Sequence, residues 1–82
     1  MNINGVEIGK ELMALRKKNN ISLEYLSKEL DVHTNTLSKY EKDASDMKLS
    51  LLEKLLSYYE MDILIFFKLV REYNHKENQN KV

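Results

Sequence analysis

The sequence predicts an all-α fold of five short helices packed as one bundle. Three observations predict it. Apolar residues recur at helical spacing from Ile8 to about Tyr73, and no sustained alternation of apolar and polar residues marks a strand. There is no proline, and the only glycines are Gly5 and Gly9. At 82 residues the chain has room for one domain, which is expected to bury roughly 60% of its unfolded surface. Its stability is then about 4–12 kcal/mol at ordinary per-residue values.

Ile8, Leu12 and Leu15 mark a first helix, closing near Asn19-Asn20, where asparagine tolerates a left-handed cap. Ser22 is a good N-cap for a second helix carrying Leu23, Leu26 and Leu30. Asp31 ends it, and Val32 points back inward. A third helix starts at His33 or Thr34 and presents Leu37 and Tyr40 on one side. Asp43 to Asp46 reads as a polar loop. Leu49, Leu52, Leu55, Leu56 and Tyr59 make a fourth helix. Asp62 caps a fifth, with Ile63, Phe66, Phe67 and Val70 at core spacing. One domain over residues 1–73 is therefore expected, followed by a polar tail, 74–82, without pattern and expected to be mobile.

Composition removes several classes of function. There is no cysteine, so neither a disulfide nor a thiolate metal site is possible. Nothing at the N-terminus has the charge and apolar stretch of a signal peptide. The most apolar run, Ile63 to Phe67, is far too short to cross a bilayer. A soluble cytoplasmic protein without membrane attachment is the expectation. His33 and His75 have no clustered carboxylate partners, so no metal ligand and no cofactor is expected. Ser45 to Lys48 satisfies a serine-x-x-lysine spacing, but so short a loop brings no oxyanion hole. No catalytic residue is assigned, and an enzyme is not expected.

The informative stretch is SLEYLSKELDVHTNTLSKYEKD, Ser22 to Asp43. Leu26, Leu30, Val32, Leu37 and Tyr40 fix how two helices cross, and Ser27 suits their close approach. This is the pattern of a helix-turn-helix, in which the second helix is held out from the body and can enter a major groove. Ser22 to Asp43 resembles the helix-turn-helix of the Cro/C1-type (XRE) family, which includes the lambdoid phage repressors. The likeness runs without gaps from Ile8 to about Phe67. IGKELMALRKKNNIS resembles the family's first helix, with Arg16 at its arginine position. LSKYEKD resembles the end of the third, with Glu41 at its glutamate position, and LSLLEKLLSYYEMDILIFF resembles the fourth and fifth. The resemblance implies a lambda-repressor-like five-helix bundle with helices 2 and 3 as the helix-turn-helix.

It further implies that the third helix reads bases in double-stranded DNA through Thr34, Asn35, Ser38 and Lys39, with Thr36 at the margin. The chemistry suits the task. Asparagine can pair bidentately with adenine, lysine can donate to guanine O6 or N7, and threonine or serine can bond to bases or phosphates. Lys42, Lys48 and the amide end of the second helix at Ser22 are expected to hold phosphates. Arg16 and Glu41 are expected to form a partly buried ion pair between the first helix and the end of the third. Thirteen basic residues balance thirteen acidic ones, so weak monomer affinity and a shallow salt dependence are expected.

The sequence departs from the family at identifiable positions. Leu23 stands where a DNA-contacting glutamine is usual, and it could touch a thymine methyl, touch a partner protein or lie exposed. Asp31 and Asp43 replace usual glycines, His33 a usual serine or threonine cap, and Met47 a common proline. Many repressors of the family carry a further C-terminal domain for effector sensing or self-cleavage. Here such regulation is expected from elsewhere.

DILIFFKLVREY is apolar on more than one side. At about 100° per residue, Ile63, Phe66, Phe67 and Val70 share one face, while Ile65 and Leu69 lie on another with Leu64 near its edge. The second face predicts a homodimer interface made by Leu64, Ile65 and Leu69. A dimer would place two reading helices about 34 Å apart on a near-palindromic operator. The function expected is a sequence-specific transcriptional regulator, a repressor. The alternative is an antitoxin-like or anti-regulator module that holds a protein partner through the fifth helix.

Overall fold

The structure, a computed structural model, describes the backbone of residues 3–80 and the side chains of residues 3–72. Five helices follow in order: α1 (Gly5–Lys18), α2 (Leu23–Leu30), α3 (Thr34–Lys42), α4 (Leu49–Tyr58) and α5 (Ile63–Asn80).

α1 begins three residues before the first apolar marker because Asn4 and Glu7 form a capping box. The Asn4 side chain accepts from the Glu7 N–H at 3.0 Å, and the Glu7 carboxylate accepts from the Asn4 N–H at 3.0 Å. Two of the first turn's otherwise unpaired donors are thereby satisfied. The helix ends where Asn20 turns left-handed, with φ 57°. Ser22 caps α2, its hydroxyl accepting from the Tyr25 N–H at 3.0 Å. Asp31 ends that helix in the left-handed region, φ 55° and ψ 48°, which a short polar side chain tolerates better than most.

The turn between α2 and α3 is held from both sides. The Val32 N–H donates to the Ser27 carbonyl at 3.1 Å, and the Ser27 hydroxyl donates back to the Val32 carbonyl. The Lys54 amine, reaching over from α4, donates to the Leu30 carbonyl at the end of α2. α3 starts at Thr34, and its cap residue His33 makes no side-chain capping bond. Asp62 caps α5 as expected, its carboxylate accepting from the N–H groups of Leu64 at 2.8 Å and Ile65 at 3.1 Å.

All five helices feed one core. Leu12 and Leu15 enter it from α1, Leu26 and Leu30 from α2, Leu37 from α3, Leu52, Leu55 and Leu56 from α4, and Phe66 and Val70 from α5. Phe66 is fully enclosed, a burial that contributes roughly 1.5–3 kcal/mol. α1 packs directly on the end of α3. A Cβ at Gly9 would stand 2.5 Å from the Tyr40 carbonyl oxygen and 2.6 Å from that of Glu41. Only glycine permits that approach.

Three sequence expectations are corrected. Leu49, the first residue of α4, is 63% exposed rather than part of the α4 core stripe, which begins at Leu52. Ala44, read as part of a polar loop, is buried, and its N–H donates to the Gly5 carbonyl at 2.9 Å. Leu23 is half-buried and packs against the core instead of standing free. The backbone of α5 runs on to Asn80, past the end of the apolar pattern, through a polar segment that holds no glycine or proline to stop it. The side chains of that segment, His75 included, lie outside the described residues.

Candidate nucleic-acid interface

α3 is two-sided. At about 100° per residue, Leu37, Tyr40 and Glu41 share its inward side. Leu37 and Glu41 are buried there, and Tyr40 is half-buried. Asn35, Ser38, Lys39 and Lys42 stand at i, i+3, i+4 and i+7 and share the outward side. Asn35, Lys39 and Lys42 are exposed, whereas Ser38 is half-buried. Thr34 and Thr36, both half-buried, flank this row on its two edges. The Lys39 ammonium lies 5.5 Å from the Tyr40 ring centroid, a contact that steadies the lysine while leaving its charge at the surface.

The backbone geometry around the row offers further donors. Ser22 spends its hydroxyl on capping α2, so what it leaves toward an anion is the amide end of that helix. Lys48 is exposed at the position preceding α4, and Lys42 is the last residue of α3. Asp43 follows Lys42 directly in the chain. Hydrogen bonds from the Ser45 hydroxyl and N–H hold its carboxyl below the ordinary value. The same bonds engage Ser45 as a turn residue.

Arg16 fixes this surface to the body. Its Nε donates to one Glu41 carboxylate oxygen at 2.8 Å and an Nη to the other at 3.0 Å, a two-point fork of the geometry carboxylates accept best. The side chains are 12% and 6% exposed. The hydrogen bond to Glu41 holds the guanidinium pKa above its ordinary value against the effect of burial. Its remaining Nη donates to the Ile21 carbonyl at 2.8 Å, immediately before the Ser22 cap. One guanidinium thus ties the end of α3 to the start of α2. The spacing of residues in the sequence carried no signal for this third bond, nor for the bond from Lys54 to Leu30, which joins residues 24 positions apart.

On α5 the second apolar face is open. Leu64 is 77% and Ile65 54% exposed, while Leu69 is half-buried. Among the described residues no group of three or more His, Asp or Glu side chains could hold a metal ion, and no helix is long and apolar enough to cross a membrane.

No curated protein matches the chain in sequence. A family model described as helix-turn-helix matches residues 12–66, well over half of the chain, from within α1 to Phe66 of α5. That span contains the Arg16–Glu41 fork, the α2–α3 turn and the whole outward row of α3. The chain therefore belongs to the Cro/C1-type (XRE) helix-turn-helix family and carries the DNA-binding domain of that type of regulator.

Proposed function

We propose that the chain is a cytoplasmic, sequence-specific transcriptional repressor that binds a near-palindromic operator as a homodimer. The observation that carries this reading is the outward row of α3. Amide, hydroxyl and ammonium groups stand free along a helix whose opposite side is anchored by Leu37 and by Glu41 on Arg16. Thr34, Asn35, Ser38 and Lys39 read base edges, with Thr36 at the margin. Lys42, Lys48 and the amide end of α2 at Ser22 take the flanking phosphates, which supply affinity rather than sequence choice. The docking geometry is that of the lambdoid repressors and is taken over from them.

Dimerisation uses Leu64, Ile65 and Leu69. A neutral chain gains little from counterion release, so joining two reading helices raises affinity through effective concentration. Selection of bound sites from random duplex DNA, at stated salt, tests the reading. Recovery of an inverted repeat with half-sites one helical turn apart supports it, and a pool without enrichment refutes it.

A second reading has its own observations. Leu64 and Ile65 are open, Leu23 offers no polar group toward DNA, and the charges sum to zero. An antitoxin-like or anti-regulator module would hold a different protein on that α5 face. A 1:1 complex with a foreign chain, lost on Ile65→Glu, in a protein that selects no DNA sequence would favour it.

A further inference from the structure

Among the described residues, the Tyr59 hydroxyl is the buried side-chain polar atom that meets no hydrogen-bond partner from the protein. Such a group costs more than an ordinary hydrogen bond returns, so its surroundings matter. Tyr59 lines a cavity of ≈ 10 Å³ together with Glu41 and with Leu12, Leu26, Leu37 and Leu55. A space of that size takes one water and nothing larger. The Glu41 carboxylate accepts one bond from Arg16 on each oxygen, and each oxygen retains a free lone pair.

We propose that this cavity is a single-water site, in which the Tyr59 hydroxyl donates to the water and the water donates to the Glu41 carboxylate. The bridge links the C-terminal end of α4 to the ion pair joining α1 and α3, so three helices meet at one polar point beneath the reading helix. Burial, with the Glu41 charge adding, pushes the Tyr59 phenol up to about 12. It therefore stays protonated, and a donor, across the neutral range. The inference does not depend on what the outer face of α3 binds.

A crystal structure of the whole chain, at a resolution that orders waters, decides it. The expected result is one peak about 2.6–3.2 Å from both the Tyr59 hydroxyl and a Glu41 carboxylate oxygen. Absence of a peak, or direct contact between those two groups, overturns it. Tyr59→Phe supplies an independent sign. Losing a satisfied hydroxyl lowers the folding equilibrium constant by about fivefold, the worth of one ordinary hydrogen bond. Losing an unsatisfied one raises that constant instead, so an unchanged or higher constant also overturns the proposal. If the variant does not fold, the wild-type crystal decides alone.

Discussion

Removing the Glu41 carboxylate tests the packing that aims α3. In Glu41→Ala the guanidinium of Arg16, 12% exposed in the intact pair, keeps its bond to the Ile21 carbonyl but loses both bonds to the carboxylate. A largely buried charge left without its counter-charge costs about 3–5 kcal/mol. The whole domain is worth about 4–12 kcal/mol at 82 residues, so the variant should be barely folded at room temperature. Urea unfolding followed by helical circular dichroism measures the loss directly. The double variant Arg16→Met/Glu41→Leu separates charge burial from packing. Well-packed apolar replacements of a buried pair are often neutral or stabilising, so the double variant should recover most of what the single one loses. A Glu41→Ala midpoint equal to that of the wild type would show the pair to be a surface ornament and refute the reasoning.

Other outcomes follow from the same structure. Gly9→Ala gains about 1 kcal/mol of helix propensity, but its Cβ meets backbone oxygens of Tyr40 and Glu41 at 2.5 and 2.6 Å. Overpacking of this kind costs about 1–3 kcal/mol, so a net fall in the urea midpoint is expected. Asn35→Ala should cost about 1–3 kcal/mol at one base pair of the selected site and leave scrambled DNA unaffected, as read by titration of labelled duplexes. Ile65→Glu should convert a dimer to a monomer in sedimentation equilibrium; a wild type that is monomeric at high concentration removes the α5 interface. The Tyr59 phenol stands at about 12 against an ordinary 10.0, so folding favours its protonated form. That contribution is complete below about pH 10 and is lost as pH rises toward 12, and the urea midpoints of wild type and Tyr59→Phe should converge over that window.

Much of the fold was legible because local chemistry and the apolar period agreed. Ser22, Asp31 and Asp62 are each a helix boundary by their own side-chain chemistry, and each stands at one. The start of α1 is not legible from apolar spacing, because the capping box at Asn4 lies outside that pattern. Leu49 has the spacing of the core stripe but is exposed at the start of α4, and helical spacing cannot tell an exposed end residue from a packed one. Arg16 and Glu41 meet where the family likeness implied. The bond from Arg16 to Ile21 and the meeting of Tyr59 and Glu41 at one cavity depend on how the helices converge, which no one-dimensional pattern encodes. On α3 the alternation of buried Leu37 and Glu41 with exposed Asn35 and Lys39 follows directly from helical geometry.

The most direct test asks whether the outer row of α3 lies in a major groove. Methylation of guanine N7, which projects into that groove, can be mapped for interference on the DNA site recovered by selection. Binding should be blocked by methylation at positions within two half-sites one turn apart, and Lys39→Ala should remove the effect at one guanine of each. Binding indifferent to every N7 methyl group would place α3 outside the groove and contradict the assignment of Asn35 and Lys39.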